Sequence, residues 1–247
     1  MSTETVLLVG ATGNIGVSMA IAVLRSKRQV LALVRNQASA EKLYKYLGTR
    51  EGVTTVEVDV MSDGGIQSVV DRVKTGELPS FQHVFSSGGG DYVQRDLSTI
   101  SLEYFRQQMT YGVEVNFLAY RATVPYLIAQ GNPKSTWTIC TGAQGDWGLY
   151  QMPAIAQGAL FSMSAVAAQE QKETNVRFNE LYLAYRVEVD DDADAHGVVR
   201  ASDFGVIYER LLERPDIRGM RVKILDESDI ADLKFEPKGM PVTHTKE

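Results

Sequence analysis

The chain is built from short apolar runs separated by longer stretches in which apolar residues recur every three or four positions. TVLLV at 5–9 is apolar almost throughout, too continuous for a strand with one wet face, and it predicts a buried first strand. QVLALV (29–34), GVTTVEVDV (52–60), FQHVFSS (81–87), STWTIC (135–140), NVRFNELYLAY (175–185) and MRVKIL (220–225) predict six more strands. The intervening periodicity predicts helices from Ile15 to Leu24, through about Gly48, over Gly65–Lys74, and from about Ser98 to Gln130. Another opens at Pro153, suited to a first helical turn, and runs to about Lys172; a last one ends at Leu212 behind a capping Ser202. Strand and helix alternate with no hairpin signal. The expected fold is α/β, a doubly wound parallel sheet of about seven strands in a single domain over 1–247, with 226–247 as a C-terminal tail.

The junction after the first strand carries the strongest chemical signal. Gly10, Gly13 and Gly16 punctuate GATGNIG, between a strand and a helix, which is the context of a Rossmann-like phosphate-binding turn. Gly10 allows a sharp reversal and Gly13 a close approach of backbone to a pyrophosphate. Gly16 lets the helix lie against the strand, and the N–H groups around Thr12, Asn14 and Ile15 face the anion. At the end of the second strand, where an acid would bind a ribose diol, stands Arg35. A guanidinium there suits a 2′-phosphate and favours NADP(H), although a solvated arginine is an alternative reading.

Composition narrows the class. With 247 residues, 44% hydrophobic and 23% charged, the chain can bury one substantial core. A net charge of −6 argues against a general nucleic-acid or anionic-membrane surface. Cys140 is the sole cysteine, so no internal disulfide forms and a reducing compartment is expected. No basic leader precedes the first apolar run and no run is long enough to span a bilayer, so a cytoplasmic protein is expected.

Over about residues 4–225 the chain resembles the short-chain dehydrogenase/reductase family. VFSSGGG stands where the family has its NNAG segment, which makes Ser87, Gly88 and Gly89 cofactor contacts; Asp59 and Val60 resemble the family's adenine-edge contact. VEVNFLAYRATVPYL resembles the helix that carries the structural or catalytic asparagine, here Asn116. TICTGAQG places Thr141 at the catalytic serine. The resemblance then breaks down. PAIAQGALFSMSAVAAQE aligns Ala154 with the catalytic tyrosine and Gly158 with the lysine, and the sixth strand continues Leu183-Ala184-Tyr185-Arg186 in place of Pro-Gly. That tyrosine ordinarily protonates a carbonyl oxygen and the lysine lowers its pKa, so a substitute is needed.

Tyr150, ahead of the helix, is one candidate acid and Tyr92 a weaker one. Asp146 and Trp147 share the loop and suit a cationic substrate, or equally a cap and a packed aromatic. The run Asp190–Asp194 with His196 has metal-ligand types but no ligand spacing, and reads as a solvated flexible loop; no metal is expected. His83 reads as structural. The resemblance implies an NADPH-dependent oxidoreductase acting on a small molecule, with an iminium or conjugated acceptor suited to the missing acid. A non-redox isomerase, cyclase or dehydratase, and a non-catalytic NADP(H) sensor, stay open. The family's pairing helices, here 98–130 and 153–172, imply a homodimer or homotetramer.

Overall fold

A computed structural model describes residues 3–239. The strands are β1 (Thr5–Val9), β2 (Gln29–Val34), β3 (Val53–Glu57), β4 (His83–Ser86), β5 (Thr136–Gly142), β6 (Arg177–Leu183), β7 (Val187–Glu188), β8 (Val199–Arg200), β9 (Met220–Ile224) and β10 (Lys234–Pro237). The helices are α1 (Asn14–Arg25), α2 (Gln37–Leu47), α3 (Gly65–Lys74), α4 (Leu102–Met109), α5 (Val115–Gln130), α6 (Gln144–Trp147), α7 (Gln151–Glu170), α8 (Asp190–His196) and α9 (Ala201–Glu213).

Eight strands form one sheet in the order β10-β9-β6-β5-β4-β1-β2-β3. The seven expected strands are all parallel, because each continuous apolar run is covered on both faces. Val6, Leu8, Phe85, Cys140, Leu181 and Val222 pack on one side, under α1 and α9. Leu7, Val9, Val84, Trp137, Ile139 and Phe178 pack on the other, with α3, α5 and α7. The eighth strand departs from the expectation. β10 lies within the presumed tail and pairs antiparallel with β9. All four of its residues are exposed, so no apolar run announced it. β7 and β8 form a separate parallel pair.

Three local readings change for physical reasons. The region from 98 to 130 holds two helices joined by a π-helical turn at Thr110–Glu114. The acidic run is not a loop but α8. Its first turn holds Asp190, Asp191 and Asp192, where the positive end of the helix dipole favours acids. Ser202 does not cap the last helix; it lies inside α9, and its N–H is taken by Asp190 Oδ1 at 3.0 Å. Among the described residues no helix is long and apolar enough to cross a membrane, and no group of three or more His, Cys, Asp or Glu could hold a metal.

His83 sits inside β4 with Nδ1 3.0 Å from Thr136 Oγ1, while Nε2 is buried without a hydrogen bond. Burial lowers its pKa despite Glu4 nearby. A histidine held neutral in the fold takes up its proton in the unfolded chain first, so stability is lost as pH falls through about 6.5. Urea midpoints should therefore drop between about pH 7 and pH 5, and His83→Gln should flatten that dependence. An unchanged slope in the variant would assign the acid sensitivity elsewhere.

Candidate active site

The chain reverses its direction of progress across the sheet between β1 and β4, leaving a crevice beyond their C-terminal ends. Two loops border it. Gly10 adopts φ +82, and a Cβ there would stand 2.8 Å from Ser87 O, so the loops after β1 and β4 touch. A Cβ on Gly16 would stand 2.0 Å from Gly10 O and 2.6 Å from the Ala11 carbonyl carbon. That glycine therefore holds the first turn of α1 against the loop. Gly13 differs: it is the exposed N-cap of α1, and a Cβ on it would meet only Gly10 O at 3.7 Å. No side chain caps α1. Its first N–H groups, at Asn14, Ile15 and Gly16, follow the partly exposed Thr12 and make a cradle that could take an anion.

The other nucleotide candidates follow the C-terminal ends of β2, β3 and β4. Arg35 is exposed just past β2. Asp59 is exposed beyond β3, with Oδ1 accepting from Met61 N–H at 3.0 Å, and Val60 is half-buried beside it. Ser87 donates its N–H to Val9 O at 3.1 Å, Gly88 is half-buried, and Gly89 is exposed with no atom within 4 Å of a Cβ position. Open backbone at Gly13 and Gly89, bare helix N–H groups and an exposed guanidinium fit a dinucleotide phosphate.

Asn116 is fully buried and fully engaged. Its Oδ1 accepts from Ser86 Oγ (2.6 Å) and Gly88 N–H (3.2 Å), and its Nδ2 donates to Gly88 O (3.0 Å) and Gly112 O (2.9 Å). The π-helical turn delivers that Gly112 carbonyl. Asn116 thus positions the Gly88 loop; it has no donor left for a substrate. Gln108, unsuspected from sequence, clamps the same loop by accepting from Asp91 N–H at 3.0 Å.

The catalytic candidates do not converge as expected. Thr141 is buried and gives its hydroxyl proton to Glu180 Oε1 at 2.8 Å. Glu180, also missed, is wholly buried on β6, where Arg221 reaches it at 3.0 Å and Lys238 at 2.6 Å. Asp146 is exposed, yet its Oδ2 accepts from Tyr182 Oη at 2.8 Å. Burial, then that bond, pushes the Tyr182 phenol up to about 12. The Arg221 guanidinium lies 4.9 Å from the Tyr182 ring and 4.4 Å from the Phe161 ring. Asp146, Tyr182, Arg221, Glu180 and Lys238 form one charge-balanced network.

Packing sets the helical phase of α7. Ala154 and Gly158 are only half-buried, and Gly158 has no neighbour near its Cβ position. The residues that line a small cavity beside Gly89 and Gly90 are Met152, Pro153, Ala156 and Gln157. No tyrosine or lysine occurs anywhere in α7. Tyr92 lines that cavity too, and Tyr150 does not. Tyr150, the N-cap of α7, instead packs edge-on against Tyr92 with ring centroids 5.5 Å apart.

Residues 10–185 match the enoyl-(acyl carrier protein) reductase family. The short-chain dehydrogenase/reductase iacG of Pestalotiopsis fici is 52% identical over 241 residues, covering 96% of this chain and 97% of that protein. The chain belongs to the short-chain dehydrogenase/reductase family. Its fold is shared by ElxO with NADP bound, at TM-score 0.79 and 11% identity over 90% of this chain and 97% of the other. It is shared also by a 3-ketoacyl-(acyl-carrier-protein) reductase from Brucella melitensis complexed with NADH, at TM-score 0.76 and 14% identity, over 90% and 96%.

Proposed function

We propose that this chain is an NADP(H)-dependent oxidoreductase that reduces a small organic acceptor without a helix-borne tyrosine–lysine pair. The observation that carries the reading is the cradle. Gly10 and Gly16 are fixed by packing, while Gly13, the open start of α1 and the exposed Arg35 are left for a ligand. The NADP held by the structurally similar ElxO supports it. Bound there, the dinucleotide supplies the hydride; this chain supplies phosphate binding, shape and a proton. The polar groups beside Gly89 and Gly90, namely Tyr92, Gln108 and Gln157, border a cavity of about 20 Å³, room for an acceptor's oxygen alone; they carry no formal charge, and Asp146 already serves Tyr182. A neutral carbonyl or conjugated acceptor therefore suits the site better than a cationic one. Exposed Phe117 and Ile128 on α5 and Val166 on α7 support a homodimer or homotetramer formed through these helices.

Calorimetry with Arg35→Ala tests the cofactor. Loss of a charge-assisted bidentate contact should weaken NADPH by about 1.5–3 kcal/mol, roughly tenfold to over a hundredfold, and leave NADH nearly unchanged. Equal loss for both nucleotides, or binding of neither, overturns the reading.

A further inference from the structure

Hydride addition to a carbonyl leaves an alkoxide that needs a proton, and α7 has no tyrosine or lysine to give one. Two phenols stand nearby, and geometry separates them. The Tyr92 hydroxyl lies 3.9 Å from the point where a Cβ on Gly142 would stand, at the end of β5. The Gln157 carboxamide carbon lies 3.8 Å from the same point. Gly142 N–H donates to Gln157 Oε1 at 2.8 Å, which fixes the amide and leaves Nε2 without a hydrogen bond to any described residue. The loop that carries Tyr92 is tied down on both sides. Asp91 N–H reaches Gln108 Oε1 at 3.0 Å, and Arg95 N–H reaches Gln151 Oε1 at 2.9 Å.

We propose, resting on the NADP(H)-dependent reading above, that Tyr92 is the proton donor of this site and that Gln157 Nε2 is the second hydrogen-bond donor to the acceptor's oxygen. As hydride reaches the carbonyl carbon, the C=O π pair moves to oxygen, and Tyr92 passes its phenolic proton to that oxygen. The phenolate left on Tyr92 regains a proton from water along the exposed side of its ring. The sum is one hydride from the reduced dinucleotide and one proton from solvent, giving an alcohol. Donor work has thus moved from the helix to the loop after β4, and a neutral amide stands where a cation would act.

Burial raises the pKa of the Tyr92 phenol, with the Cys140 thiol and Tyr150 adding to that effect. Nothing here plays the lowering part of the family's lysine. A positively charged nicotinamide ring beside the phenol would supply that influence, and binding alone reads it. NADP⁺ added to the wild-type protein at about pH 9 should raise the near-ultraviolet phenolate absorbance by about one tyrosine. NADPH, whose ring is neutral, should not. Tyr92→Phe should abolish the rise and should bind NADP⁺ as the wild type does at about pH 7 but several-fold more weakly at about pH 9, because the phenolate and the cationic ring favour each other; Tyr150→Phe should retain both the rise and the pH-dependent affinity. If NADP⁺ binds but the signal is absent, or follows Tyr150, the assignment to Tyr92 is overturned and the cofactor reading stands. If the wild type binds no NADP⁺, both fall.

Discussion

Gly16→Ala is expected to cost about 1–3 kcal/mol of stability and to abolish dinucleotide binding, whereas Gly13→Ala should lose the binding alone. The two glycines occupy the same seven-residue turn but do different things. A methyl on Gly16 would stand 2.0 Å from Gly10 O and 2.7 Å from Ala11 Cα, which are backbone atoms that cannot swing aside. The turn would have to open, and α1 would leave β1. A methyl on Gly13 meets only one oxygen, at ordinary contact distance. Its φ of −82 is open to any residue, so the folded chain accepts it. The methyl would instead occupy the space a pyrophosphate needs, and affinity should fall about tenfold or more. Urea denaturation and NADPH calorimetry on both variants check the split. Equal destabilisation would show that Gly13 is structural as well.

Glu180→Ala should be the most damaging single change away from the glycine turn, at about 3–5 kcal/mol. Glu180 is completely buried and receives Arg221 on both oxygens, Lys238 on one and the Thr141 hydroxyl on the other. Removing it leaves two cations facing each other in a poorly solvated place, with Arg221 still stacked between Phe161 and Tyr182. Lys238→Met should cost much less, because the Glu180–Arg221 pair survives and an apolar chain fills the space. The double variant Glu180→Ala with Lys238→Met should lie closer to wild type than the sum of the singles. Strict additivity in urea would show that Lys238 does not feel Glu180.

The parallel sheet was legible because its strands are apolar on both faces and separated by helix-period stretches. TVLLV and QVLALV have no other place to go than between two helical layers. The glycine turn was legible because three residues without side chains fall at a strand–helix junction. β10 was not, since KFEP offers alternate charges and full exposure, which is how an edge strand looks to any rule that seeks apolar runs. Counting forward from Thr141 gives no helical phase for α7, which only packing supplies. Burial shows the inward stripe to be 152, 153, 156, 157 and 160. Thr141 reads as an available hydroxyl in sequence, but its partner Glu180 lies 39 residues away and only sheet register unites them. Tyr92 and Gln157 illustrate the same difficulty: each is unremarkable alone and gains meaning only from a shared approach to Gly142.

The Glu180 network also has a history within each newly made chain. Translation delivers its acids first, Asp146 and Glu180, and its cations last, Arg221 and Lys238. When β6 leaves the ribosome, β5 already flanks it, but its other neighbour β9 is not yet synthesised. For that interval β6 is the open margin of a half-built sheet, otherwise ready to recruit a strand from another nascent chain. An inward-facing carboxylate with no counter-ion resists such recruitment, since a foreign apolar strand would have to bury it bare. The same glutamate becomes a fastening when Arg221 and then Lys238 arrive. Its charge guards the sheet margin against the wrong neighbour until the right one brings the positive charges that let it close.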